Sequence, residues 1–388
     1  MFEELQLGQM CWINIKRSLE FGDPKLPPSC GLFIYHYFLS TTHFLNPYPM
    51  SRTALIISGG GSKGAFAVGV LKFIFSQRPD IRFDMVCGTS TGALIAPLAA
   101  LRHIEELEGV YTGVETKDIL LKGNLVDRLL HHNSLYDTSP LAALVTRTLS
   151  QLRYDQLLAS GLDIILTTVC LQTQRITYFT LGAGAATLPV SPDYDLIGIA
   201  SREELLRAIV ASADQPVLMP PIEIRSTPEQ PRQYVDGGVR EQVPLQIAID
   251  NGATDIYVIV MSPETNPATQ VKYSRLESTL LRTIDLLLED VAGSDLALPR
   301  LYNQALQYMD SVKHRLMTQT GLPAETVEQL FAVAGNPFAG KKALKLHIIR
   351  PAVELAPDGG LEFIPAQMKQ MVALGESTAR EYFNRVVV

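Results

Sequence analysis

The chain has 388 residues, 47% hydrophobic and 19% charged, a balance that fits a packed globular fold and excludes a largely disordered one. Lys and Arg number 33 against 40 Asp and Glu, a formal charge of −7 with no long basic run, which argues against nucleic acid as a partner. A membrane surface stays open, since apolar contacts can carry that affinity.

Residues 1–49 differ from the rest, with Pro24, Pro27, Pro28 and Pro47 and no clear periodicity. Their longest apolar stretch, Gly31 to Leu45, is broken by His36, Ser40, Thr41, Thr42 and His43. It falls short of the roughly 20 residues of a spanning helix and lacks a basic start and a small-residue cleavage site. The expectation is an N-terminal extension over 1–49, with the folded domain beginning near Met50. The four cysteines, Cys11, Cys30, Cys87 and Cys170, show neither CxxC pairing nor clustering with histidine. No metal site is expected, and sparse cysteine suits a reducing cytoplasm.

From Thr53, TALIIS reads as a buried strand, followed by GGGSKG (59–64) and a helical pattern in AFAVGVLKFIF. FDMVC (83–87) is a second buried strand, ending at GTSTG (88–92), and ALIAPLAAL reads as a core helix that Pro97 should bend. Strands are predicted at 162–169, 175–181, 255–261 and 344–351, with a helix over 203–213. Apolar positions from Leu276 to Val291 repeat at helical spacing, a second helical stretch follows around Leu301 to Met317, and Pro365 to Asn384 closes the chain as a helix. This alternation predicts an α/β fold, a three-layer α/β/α domain with a largely parallel central sheet. The expected divisions are a catalytic domain over 50–270 and a C-terminal helical region with a late strand over 271–388, packed on it.

Gly88-Thr89-Ser90-Thr91-Gly92 fits G-x-S-x-G between a strand and a helix, where a sharp turn lifts a serine hydroxyl above the sheet. The competing reading is a glycine turn whose serine caps the helix. Gly59-Gly60-Gly61-Ser62-Lys63-Gly64 has three readings. A dinucleotide fingerprint needs an acidic residue at the end of the next strand, and Asp80 and Asp84 are misplaced for it. A P-loop needs Gly-Lys-Ser/Thr, which is absent. An oxyanion hole, with bare amides around a developing alkoxide, fits best.

Of the histidines beyond Ser90, namely His103, His131, His132, His314 and His347, none sits in a glycine-rich loop after a core strand. Asp236 does stand at a strand end, followed by Gly237 and Gly238; alone, it reads equally as a hairpin turn or as a base.

These pieces in this order resemble the patatin-like phospholipase family, whose pattern is a glycine-rich oxyanion loop, then G-x-S-x-G, then D-G-[AG]. SLYDTSPL (134–141) and ASADQPVLMPP (211–221) resemble two further family stretches, with Met219 where an aromatic is common. The resemblance spans about residues 52–262. It implies Ser90 as nucleophile, Asp236 as general base and Gly59–Gly64 as oxyanion hole. It further implies hydrolysis of acyl lipid esters through an acyl-enzyme, without cofactor or metal, at a transient membrane or micelle surface. A catalytically silent lipid-binding protein on the same fold, or a nucleotide-dependent enzyme using the glycine loop, are the alternatives.

Overall fold

The structure is a computed structural model that describes residues 52–386, apart from residues 125–126, 129–130, 183–190, 226–229, 266–271, 335, 337, 339–341 and 357–358. The expectations for residues 1–49 fall outside the described residues. The described residues form one compact unit.

The strands are β1 (Arg52–Ile57), β2 (Met85–Thr89), β3 (Leu121–Lys122), β4 (Tyr136–Asp137), β5 (Asp163–Cys170), β6 (Ile176–Leu181), β7 (Tyr194–Gly198), β8 (Ile222–Ile224), β9 (Arg232–Asp236), β10 (Ala253–Ile259) and β11 (Lys345–Ile349). The helices are α1 (Gly64–Gln77), α2 (Thr91–Ala100), α3 (Ile104–Gly113), α4 (Ser139–Thr148), α5 (Gln151–Ala159), α6 (Arg202–Ala213), α7 (Leu245–Asp250), α8 (Leu276–Thr320), α9 (Ala324–Phe331) and α10 (Pro365–Val386).

Nine strands make one sheet with the path β11-β10-β1-β2-β5-β6-β7, while β9 pairs with β5 and β8 with β9. From β11 to β5 every pairing is parallel; β6 and β9 run antiparallel to β5. Only residues 171–175 separate β5 from β6, and a parallel return needs a crossover of a dozen or more.

Alternation along β1 shows how the layers arise. Leu55 and Ile57 enter a core with Phe66, Val70, Ala96, Ile209, Met368 and Val372 on one side of the sheet. Ala54 and Ile56 enter another with Val243, Leu245, Ala292 and Leu296 on the opposite side. Both faces are thus covered by helices, which is why the central strands read as continuous apolar runs. The predicted three-layer fold is the one observed.

The two predicted helical stretches after Leu276 are one 45-residue helix, α8, with Pro299 inside it. A proline there removes one intrahelical N–H and strains the turn before it, but packing on the second core holds the helix through it. Gly321, at φ 68°, ends it with its N–H on the Met317 carbonyl at 3.0 Å. α10 lies against α1 with backbones nearly touching: a Cβ on Gly375 would sit 2.0 Å from the Phe66 carbonyl oxygen.

Candidate active site

The chain leaves β1 toward β2 on one side and returns as β10 on the other, so the carboxyl ends of β1 and β10 flank the point where strand order reverses. Crevices in open α/β sheets form there. The glycine loop 59–64 follows β1 at that point, and the serine turn follows β2, the next strand of the sheet.

After β2 the backbone turns at Ser90 with φ 57° and ψ −122°, a conformation costly for a residue with a side chain. The turn closes because its glycines lack side chains. A Cβ on Gly88 would lie 2.3 Å from the Gly92 carbonyl oxygen, and one on Gly92 would lie 2.1 Å from that of Ile57. The strained turn is held from α6. The Ser90 N–H donates to Ser212 Oγ at 3.0 Å, and that hydroxyl donates to the Thr167 carbonyl at 2.7 Å. Thr89 is fully buried, and Thr91 Oγ1 shares a 2.5 Å hydrogen bond with the Tyr111 hydroxyl.

The loop after β1 divides its amides. Gly59 donates to Gln242 through both its carbonyl and its side-chain Oε1. Ser62 donates to the Gly360 carbonyl at 2.8 Å, Lys63 to Gly60, and Gly64 to Gly61 and Ser62. Among the described residues no backbone acceptor takes the amides of Gly60 and Gly61. The Gly360 backbone is packed on Gly60 and Gly61. Lys63 is buried and pairs with Asp285 of α8 at 3.4 Å. Asp285, Glu289 and Glu354 converge to within 4.8 Å, and Lys63 and Arg282 supply positive charge to that cluster.

Asp236 ends β9, opposite Thr168 of β5 in an antiparallel register that brings the carboxylate to the same sheet edge. It is 1% exposed. Oδ1 accepts the Gly238 N–H at 2.7 Å, while Oδ2 has no partner with hydrogen-bond geometry. Burial pushes its pKa up to about 7, even though the neighbouring Ser90 hydroxyl and the Gly238 amide favour the charged form. Gly237 presses on the Thr167 carbonyl, where a Cβ would come within 2.5 Å.

The histidines lie elsewhere. His103 precedes α3, His131 and His132 are exposed, His314 is on the outside of α8, and His347 stacks on Tyr257 with Nδ1 on the Tyr382 hydroxyl.

Sequence reasoning did not single out Ser212, Asp214, Tyr111, Gln242 or Asp285. Ser212 and Asp214 lie inside the quoted ASADQPV stretch, yet only coordinates bring them to the turn. Asp214 is fully buried: its carbonyl accepts the Asp236 N–H at 2.9 Å, and its Oδ2 accepts from Thr138 at 3.0 Å. Burial raises its pKa to about 8; the Thr138 bond opposes the rise and the Asp236 charge adds to it.

A sheet covered by helices on both faces carries a strained serine turn and a glycine loop at its carboxyl edge, an α/β architecture to which comparison assigns a family. The family described as patatin-like phospholipase matches over residues 55–249. The chain belongs to that family. A cUMP-AMP-activated phospholipase of Escherichia coli is 39% identical over 82 residues, 20% of this chain and 26% of that protein. Triacylglycerol lipase 4 of Saccharomyces cerevisiae is 40% identical over 58 residues, 15% of this chain and 6% of that protein. The matches thus span about a quarter or less of those relatives. The crystal structure of VipD from Legionella pneumophila aligns with a TM-score of 0.39 at 12% identity, covering 87% of this chain and 67% of that one.

Proposed function

We propose that this protein hydrolyses carboxylic esters of phospholipids or related acyl lipids, with Ser90 as nucleophile and Asp236 as its base. The observation that carries this reading is Asp236: a buried carboxylate beside the Ser90 hydroxyl, one oxygen uncommitted, and a pKa near neutrality. A base works best when its pKa lies near the working pH.

The Ser90 hydroxyl gives its proton to Asp236 Oδ2 as Oγ bonds to the ester carbonyl carbon. The carbonyl oxygen becomes an oxyanion facing the Gly60 and Gly61 amides, each such donor typically giving on the order of 100- to 1,000-fold in rate. Collapse breaks the bond to the alcohol, which leaves with the proton from Asp236. Water then gives a proton to Asp236 and attacks the acyl-serine; the fatty acid departs as Ser90 recovers its proton. Asp214, with a pKa of about 8, stays mostly neutral at pH 7 and adds little negative charge against the oxyanion.

Ser90 is 5% exposed, so substrate entry needs the surrounding loops to part. Val217 (58% exposed) and Val239 (43%) stand on the turns that follow Asp214 and Asp236, apolar side chains suited to transient contact with a bilayer or micelle. Among the described residues no helix is long and apolar enough to cross a membrane. Free Cys87 and Cys170 suit a cytoplasmic setting.

Ser90→Ala should abolish hydrolysis of p-nitrophenyl esters and labelling by a fluorophosphonate, while the circular dichroism spectrum stays that of the parent. Labelling that survives in Ser90→Ala would assign the nucleophile elsewhere; a parent protein that never labels would favour a silent lipid-binding role.

A further inference from the structure

An apolar cavity of about 60 Å³ lies among the helices beside the nucleophile turn. Leu94 and Leu98 of α2, Tyr111 of α3, Leu144 and Val145 of α4, and Ile209 of α6 line it, and Thr148 is the other polar residue on its wall. A pocket walled almost wholly by apolar side chains is suited to a hydrocarbon.

Its position relates it to the chemistry. Leu94 and Leu98 follow Ser90 by one and two turns of α2, about 6 and 12 Å along the helix. At the end nearest the turn, Thr91 and Tyr111 satisfy each other at 2.5 Å, so neither hydroxyl calls for water in the cavity. A Cβ on Gly64, where the oxyanion loop meets α1, would strike both of these hydroxyls. The pair therefore stands between the cavity and the oxyanion loop.

We propose that this cavity receives the tail of the acyl chain, with the Thr91–Tyr111 pair at its entrance. The inference rests on the Ser90 acyl-hydrolase reading and adds the acyl subsite and its selectivity. An apolar cavity of about 150 Å³ holds a benzene ring; this smaller one suits an unbranched alkyl tail better than a ring. An acetyl group is too short to reach it, whereas an octanoyl chain extends into it. Each methylene admitted should raise kcat/KM roughly fourfold, the ratio expected from the transfer of one CH₂ out of water.

The test compares p-nitrophenyl acetate, octanoate and decanoate. Val145→Phe fills the cavity from α4 and should lower the octanoate-to-acetate ratio of kcat/KM by tenfold or more. Leu144→Ala widens it and should move the optimum toward longer chains. A ratio unchanged in both variants, or one in which acetate and octanoate fall in parallel, overturns the assignment. Calorimetric titration of octanoate into Ser90→Ala asks the same question without turnover and does not depend on Val145→Phe folding. Binding supports the cavity, and its loss in a folded Ser90→Ala/Val145→Phe variant supports it further; no binding to Ser90→Ala overturns it. Octanoate binding in a protein whose Ser90 neither labels nor turns over ester would retain the cavity and reject the hydrolase reading alone.

Discussion

A carboxyl group as buried as that of Asp236 titrates high because its charged form has lost water, and the compensation from Ser90 and Gly238 is incomplete. Two consequences follow for pH. The base must be ionised, so kcat/KM should rise through an apparent pKa of about 7 and flatten above it; a flat profile down to pH 5 would remove Asp236 from the role. The folded state binds this proton more tightly than the unfolded state does, so between about pH 4 and pH 7 unfolding releases it, and stability falls as pH rises. The contribution is fully present below the unfolded carboxylate value and is lost through pH 7. Asp236→Asn should therefore be more stable than the parent at pH 8 in chemical denaturation, by up to roughly 4 kcal/mol, with the gap closing near pH 4. It should be inactive throughout. At this scale the turns that carry Ser90 and Asp236 were legible, because small residues at strand ends leave a local mark in sequence. Ser212 and Gln242 were not. Their bonds to Ser90 and Gly59 join residues 122 and 183 apart, and nothing in a short window signals such a pairing.

Elements were legible where burial on both faces makes a continuous apolar run, as in β1, β2, β5 and β10. Direction was harder. The run at 175–181 is the same string whichever way the strand lies; the shortness of the link from β5 is what turns it antiparallel. Short β8, whose Ile222 and Glu223 escape full burial, offered no pattern to read. Pro299 divides the predicted stretches because a proline ordinarily ends a helix, and tertiary packing overrides that preference in α8. The contact of α1 with α10 makes the sharpest prediction here. Gly69 and Gly375 each approach the opposing backbone, where a Cβ would lie 2.0 Å from a carbonyl oxygen, Val372 in one case and Phe66 in the other. Gly375→Ala must push the helices apart, and overpacking of this kind typically costs about 1–3 kcal/mol. Chemical denaturation should show that loss with an unchanged m-value; a stability equal to the parent would mean that the helices slide freely.

The molecule as a whole does not divide neatly after β10. β11 completes the sheet beside β10, and α10 covers α1 with Met368, Met371, Val372 and Phe383. A fragment of residues 50–270 should accordingly be insoluble or rapidly proteolysed, because it exposes both a strand edge and an apolar helix face. A fragment of residues 50–388 should fold and retain ester hydrolysis, and limited proteolysis with activity assays distinguishes the two. The reach of α8 adds a constraint of another kind. Asp285 grips Lys63 in the glycine loop after β1, and Asp295 accepts the amides of Gln242 and Val243 just past the Asp236 turn, each at 2.8 Å. The helix between these aspartates serves as a spacer of set length and phase. Its outward residues can be exchanged freely, but a single inserted residue rotates everything downstream by about 100°. One anchor or the other would then face away from its partner, so evolution can rewrite this stretch letter by letter but cannot lengthen it by one.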